Sequence, residues 1–429
     1  MDIKKMFEEK MMSIEEAAKL IRSNDRIWIG WYTCLPYPLA DAICDRKDEL
    51  ENVDMVSALM AKPVKCMESK EYAGRINFHS IFTGPWERKF SGKGNVHLNS
   101  VNFSRSNLAL RDHYKVNVMA VEGTEPDEEG YVYLGPQGAS WGGEVAEYAE
   151  RIIICVNKFQ TRVKGTKHRV HIDKVTAFCR DDHPLYELKQ PPVGELDKKI
   201  ASYILPLIPD GATIQVGLGG IANAVGYGLE SKKNMRVHTE MLTDSLVRLA
   251  KAGAVNQGLL AGFGFGSQEV YDYIAEGKCE VGAINDINYP PRAAQYDNFM
   301  SINSCLMVDL TGQVGSESIG FRQFSSTGGQ LDFVLAANYS KGGKSFLCLG
   351  STIKDKEGNL QSTITLKLPP GQAVTTPRSL VMYVVTEYGA VDISNKPMDV
   401  RAELLISIAH PDFREQLRKE AMEVGIIPK

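Results

Sequence analysis

Two stretches of this chain, about 185 residues apart, carry the same succession of signals, and that repetition limits the possible folds more than any single motif does. In the first, Ser13-Ile-Glu-Glu16 has capping-box spacing and opens an amphipathic helix that runs to Leu20. Asn24-Asp25 then supplies a turn, Ile27-Trp28-Ile29 an apolar strand, Gly30 a loop that contains Pro36, and the residues from Leu39 to Ile43 a second helix. In the second, Gly194-Glu-Leu-Asp197 leads into a helix around Ile200 to Ile208. Asp210-Gly211 makes the turn, Thr213-Ile-Gln-Val216 the strand, Gly217-Leu-Gly-Gly220 the loop, and Ile221 to Leu229 the next helix. Each unit needs a sheet to bury its apolar face, so a duplicated unit predicts two similar α/β domains. The alternative is an α/β protein that repeats such units without a duplication.

The chain has 429 residues, suitable for two cores, and Lys189-Gln-Pro-Pro192 interrupts both helix and strand patterns. The expected domains are therefore residues 1–190 and 191–429. Arg151-Ile-Ile-Ile-Cys-Val156 reads as a buried parallel strand, and Tyr131-Val-Tyr-Leu134, fed by a turn at Glu129-Gly130, as one arm of an antiparallel hairpin. The sheets are expected to be mixed but largely parallel.

Composition excludes several classes of function. Hydrophobic residues make up 43% and charged residues 24%, and the net charge of −4 comes without a basic run, which argues against nucleic-acid binding. No apolar stretch is long enough to span a membrane, and the first twelve residues lack an apolar signal core. Eight scattered cysteines without a CxxC pair point to free thiols in the cytoplasm, and no zinc or other metal site is expected.

The candidate chemistry rests on glycine and one carboxylate. Gly217-Leu-Gly-Gly-Ile221 follows a strand and precedes a helix, so its backbone N–H groups could meet a phosphate or an oxyanion; a tight turn without a ligand has the same glycines. It is not a dinucleotide fingerprint, because Ala222 stands where a third glycine would be. Glu240, in Val237-His-Thr-Glu-Met241, falls at the C-terminal end of the next strand, where α/β sheets place their chemistry; a surface or capping role is the plain alternative. Ser325-Ser-Thr-Gly-Gly-Gln-Leu-Asp-Phe333 offers a second glycine turn at Gly328-Gly329. Lys341-Gly-Gly-Lys344 could meet phosphates or be a solvated hairpin tip, with the tip the favoured reading.

Taken in order, six segments resemble the acetyl-CoA hydrolase/transferase family, and within it the butyryl-CoA and 4-hydroxybutyrate CoA-transferases. They are Gln215 to Val225, His238-Thr-Glu-Met241, Ser301-Ile-Asn-Ser-Cys-Leu306, Ser325 to Phe333, Val385-Thr-Glu-Tyr-Gly389 and Ile408-Ala-His-Pro-Asp-Phe413. The resemblance implies a class I CoA-transferase fold of two α/β domains with the active site in the cleft between them. It implies that Glu240 becomes a glutamyl-CoA thioester, that Gly217, Leu218, Gly219, Gly220 and Ile221 form a CoA-binding loop, and that Leu306 and Gly329 contact CoA. It further implies CoA as a cosubstrate with no tightly bound cofactor, short-chain carboxylates and acyl-CoA as substrates, and a homodimer or dimer of dimers. Trp31, Tyr32, Phe82 and Phe265 are the bulky candidates for shaping the acyl pocket. A hydrolase using the same glutamate remains open, as does, more remotely, a nicotinamide-dependent oxidoreductase or a CoA-binding module without catalysis.

Overall fold

The computed structural model describes residues 2–428. It falls into two compact units, Met1–Leu188 with Leu260–Ile287, and Lys189–Leu259 with Asn288–Lys429. Each is an α/β unit on a largely parallel sheet.

The first unit contains β1 (Arg26–Trp28), β2 (Val53–Ser57), β3 (Ile76–Ser80), β4 (Val96–Leu98), β5 (Val118–Gly123), β6 (Arg151–Val156) and β7 (Ala177–Arg180). Their order is β7-β6-β5-β1-β2-β3-β4, and every pairing is parallel. β6 has the limits expected from its apolar run, because a strand covered on both faces needs no polar alternation. Ile27, Met55, Phe78, Val118 and Ile153 pack with Leu39, Ala40 and Ile43 of helix Tyr37–Cys44 into the main core. The capping box at Ser13 forms as read: Glu16 N–H donates to Ser13 Oγ at 3.1 Å, and Ser13 N–H to Glu16 Oε2 at 2.9 Å.

The second unit contains β8 (Thr213–Val216), β9 (Met235–Leu242), β10 (Phe299–Ser304), β11 (Lys344–Cys348), β12 (Tyr383–Thr386) and β13 (Gly389–Asp392). These lie in the order β13-β12-β11-β10-β8-β9, parallel except for the β12–β13 hairpin. Phe299, Leu347 and Val384 share one face of the sheet by register. That face meets helix Gln330–Tyr339 through Phe333 and Val334, and helices Met398–Ser407 and Pro411–Glu423 through Leu405 and Leu417.

The repeat extends to the register. β1 lies between β2 and β5, and β8 lies between β9 and β10. Arg26 pairs with Asp54 as Thr213 pairs with Arg236, and Asn52 (φ 54°) and Asn234 (φ 58°) immediately precede the two second strands in the same left-handed conformation. Gly30 therefore corresponds to Gly217, and Ala58 to Glu240.

Three local expectations are corrected. Tyr131–Tyr133 is antiparallel, but its partner is Arg169–His171, so the turn at Gly130 does not close a hairpin; alternation specifies a strand, not its neighbour. Lys341 to Lys344 joins helix Gln330–Tyr339 to β11 and is not a hairpin tip. The helix read around Ile200 to Ile208 runs over Glu195–Ile204 and tightens to a 3-10 turn at Leu205–Leu207, where Pro206 removes a backbone donor. All eight cysteines are free and buried. Among the described residues, no helix is long and apolar enough to cross a membrane.

Candidate active site

β9 carries Arg236, His238 and Glu240 on one face, because strand side chains alternate. The His238 ring lies 6.2 Å from that of Phe299 and 5.5 Å from that of Tyr296, which sets this face toward helix Gln330–Tyr339. Glu240 is 7% exposed. Asn288 Nδ2 donates to its Oε2 at 2.7 Å, while Asn288 Oδ1 is buried with no hydrogen-bond partner among the described residues.

Gly329 is the N-cap of helix Gln330–Tyr339, with an ordinary φ of −99°. Its need for glycine comes from space. A Cβ there would lie 2.0 Å from Glu240 Oε2 and 2.2 Å from Asn288 Nδ2, far inside contact distance. Gly328 before it takes φ 56°, the left-handed region that glycine enters freely. Burial pushes the Glu240 carboxyl up to about 7; the Asn288 hydrogen bond opposes the rise, and buried Asp332, in the first turn of the same helix, adds to it. At neutral pH the acid and carboxylate forms are thus both available.

The Gly217–Ile221 turn leaves β8 at the same sheet edge, since β8 and β9 are parallel neighbours. Gly217 N–H donates to Ile302 O at 2.9 Å. Gly219 takes φ 113° with nothing within 4 Å of a Cβ position, and Leu218 is 40% exposed, so the outer side of the turn is open. Gly220 and Ile221 begin helix Gly220–Gly228, and a Cβ at Gly220 would meet Asp197 Oδ2 at 2.2 Å. Leu306 sits half-buried in the break between β10 and strand Met307–Asp309, its N–H donating to Gly315 O at 2.9 Å.

Of the residues singled out from sequence, Gly329 touches Glu240, and β8 and β10 bring Gly217–Ile221 and Leu306 to that edge. Asn288 was missed. It lies 48 residues from Glu240 in the chain, and nothing in Asn285-Asp-Ile-Asn288 marks it. The bulky residues read as acyl-pocket candidates all lie in the first unit. Trp31, Tyr32 and Phe265 are buried together, with Tyr32 and Phe265 rings 4.8 Å apart, while Phe82 packs on Phe103 at 5.4 Å. No group of three or more His, Cys, Asp or Glu among the described residues is placed to hold a metal.

Comparison with known proteins places the chain in a family. The acetyl-CoA hydrolase/transferase N-terminal domain matches residues 1–187, and the C-terminal domain of the same family matches residues 266–421. Butyryl-CoA:acetate CoA-transferase of Anaerostipes caccae is 36% identical over 99% of this chain and 99% of its own length. The 4-hydroxybutyrate coenzyme A transferase of Clostridium kluyveri is 36% identical over 98% and 99%. The crystal structure of RipA from Yersinia pestis superposes with a TM-score of 0.92 at 32% identity, covering 100% of both chains. The chain belongs to the acetyl-CoA hydrolase/transferase family.

Proposed function

We propose that this chain is an acyl-CoA:carboxylate CoA-transferase that works through a covalent thioester on Glu240, with butyryl-CoA or 4-hydroxybutyryl-CoA as donor and acetate as an acceptor. The observation that carries this reading is a buried carboxylate held by one donor against a glycine turn. Burial and Asp332 both disfavour the ionised form, so converting that carboxylate into a neutral acyl group relieves an electrostatic cost.

In the first step a Glu240 oxygen adds to the thioester carbonyl, and collapse expels CoA thiolate, leaving a mixed anhydride. The thiolate then attacks the glutamyl carbonyl. The free acid leaves, and glutamyl-CoA remains. A second carboxylate runs the same steps in reverse, which gives ping-pong kinetics. Each tetrahedral intermediate needs donors aimed at its oxyanion, and we assign that work to backbone N–H groups of Leu218, Gly219 and Gly220, the Gly217 N–H being taken by Ile302 O, and of the Gly328-Gly329 turn. Asn288 holds the oxygen of Glu240 that does not attack. The eight buried, unpaired cysteines fit a reducing cytoplasm. A homodimer or dimer of dimers is inferred from the family resemblance.

The test is direct. Enzyme incubated with butyryl-CoA and then borohydride should carry one reduced glutamyl residue, and peptide mapping should place it at Glu240. Modification elsewhere would refute the assignment. Turnover should require acetate; release of thiol without it would make the enzyme a hydrolase using the same glutamate.

A further inference from the structure

We infer that Gln215, Ser301 and Asn303 form a clamp that positions the Gly217–Gly220 turn, and that Asn303 governs how tightly the turn holds acyl-CoA; this rests on the reading of that turn as the CoA-binding loop. Gln215 and Gly217 share one face of β8 and its extension, as Ser301 and Asn303 share one face of β10, and Gln215 lies directly beside Ser301. Gln215 Oε1 accepts from Ser301 Oγ at 2.9 Å and from Asn303 Nδ2 at 3.0 Å. Gln215 Nε2 donates back to Asn303 Oδ1 at 3.3 Å, and Asn303 Nδ2 also reaches Ser301 Oγ at 2.9 Å. The four bonds fix both amides in one orientation. A Cβ at Gly217 would lie 3.1 Å from Asn303 Oδ1, so the Asn303 amide packs on the bare Cα of the first glycine. The outer side of the turn, at Gly219, has no such support.

The first unit supplies an independent reason to regard the clamp as functional. Trp28 pairs with Met119 as Gln215 pairs with Ser301, and Val121 follows Met119 as Asn303 follows Ser301. The same three sheet positions are therefore filled there by Trp28, Met119 and Val121, all essentially buried. The topology folds with an apolar row at this place. Gln215 and Ser301 are buried and Asn303 partly so; polar groups at that depth are tolerated only if satisfied, and when satisfied they enforce one geometry. Turn glycines gain most from such enforcement, because they have the most conformational freedom to lose when a ligand orders them.

The clamp predicts a split in kinetic constants. Asn303→Ala should raise the KM for acyl-CoA about tenfold and lower kcat by a smaller factor, since the same turn carries the proposed oxyanion donors, whereas general destabilisation would reduce the active fraction and leave KM unmoved. Asn303→Ser, kept in reserve should the alanine variant not fold, should raise it about threefold. Gly217→Ala should also raise KM, and in the double variant with Asn303→Ala the two effects should not multiply, since both act through one contact. Independent multiplication, or an unchanged KM in the folded Asn303 variants, would overturn the clamp. Gly219→Val separates this from failure of the underlying reading. If it leaves the acyl-CoA KM unmoved, the turn does not bind CoA; if it raises KM and the Asn303 variants do not, only the clamp falls.

Discussion

The two units repeat one strand order and one register, yet they finish the same sheet edge in opposite ways. Beyond β1 the first unit places Trp31 and Tyr32, both buried, where the second places exposed Leu218 and open Gly219. Tyr32 even adopts a positive φ of 40° at the position where Gly219 takes 113°. Ala58 stands where the second unit has Glu240. The first unit does bury a carboxylate, Glu122, at the end of β5, but both its oxygens are occupied. His183 Nε2 lies 2.8 Å from Oε1, and Asn157 Nδ2 and Gln160 Nε2 each donate to Oε2 at 3.0 Å. Glu240 has a glycine turn against it and an amide on Oε2. A satisfied carboxylate holds a fold together, whereas an undersupplied one is free to take the role proposed for Glu240. The chemistry belongs to the loops and strand ends, not to the topology they share.

Four experiments would break or sharpen that contrast. The largest effect should come from Glu240→Gln, which removes the proposed nucleophile and should cut CoA transfer by about four orders of magnitude or more. Adding Ala58→Glu should restore nothing, because buried Trp31 and Tyr32 fill the place that exposed Leu218 and open Gly219 hold in the second unit; recovered transfer, followed as acetyl-CoA formed from butyryl-CoA and acetate, would undo the comparison. Gly329→Ala comes next. Its methyl would collide with Glu240 Oε2, and displacing the carboxylate by a fraction of an ångström should lower kcat by about 10²- to 10³-fold without a comparable loss of stability. A thermal melt beside the kinetics separates the two.

How far the sequence could reveal this differs between elements for physical reasons. The Ser13 capping box, β6 and β8 were legible because their causes are local: a cap three residues from its partner, or an unbroken apolar run. The turn at Gly217–Ile221 was legible from its place between strand and helix. Gly329 was found as a glycine but not explained, since its φ is unremarkable and the reason is an oxygen 89 residues away along the chain, on β9. Asn288 gave no signal because its partner is tertiary. The strand at Tyr131 was recognised and its partner mistaken, for a pleat records which residues alternate and not which strand they meet.

The third experiment compares the two carboxylates through stability and pH. Its hydrogen bond to Glu122 raises the His183 imidazole to about 9 from 6.5. Its stabilisation is therefore complete below pH 6.5 and lost as pH rises through about 9. His183→Gln should cost about 2 kcal/mol at pH 6, less than a fully buried pair because the ring is partly exposed, and progressively less toward pH 10. Glu240→Gln should do the reverse. With the folded carboxyl at about 7 against 4.5, ionisation opposes folding once pH exceeds 4.5, and the penalty is complete above 7. The variant should match the parent near pH 4 and exceed its stability at pH 8, by up to about 3 kcal/mol. Denaturant titrations at the two pH values would show it; equal responses of the two variants would mean that both carboxylates are structural.

The smallest effect should be that of Asp332→Asn. In the proposed mechanism attack requires the ionised carboxylate, so kcat/KM for acyl-CoA should rise with pH through about 7 and level off above. Asp332 contributes to that raised midpoint by repelling the charge on Glu240. Replacing it with the neutral isostere should therefore move the midpoint to lower pH, while burial, the larger cause, keeps it above the ordinary carboxylate range. The same change should lower the fraction of enzyme trapped as glutamyl-CoA at equilibrium with acyl-CoA and free acid, because the ionised glutamate becomes less costly to keep. A pH–rate profile and a trapping measurement on one variant thus probe a single electrostatic interaction from two sides. A midpoint that stays in place would leave burial alone responsible, and Asp332 would join Glu122 among the carboxylates that serve only the fold.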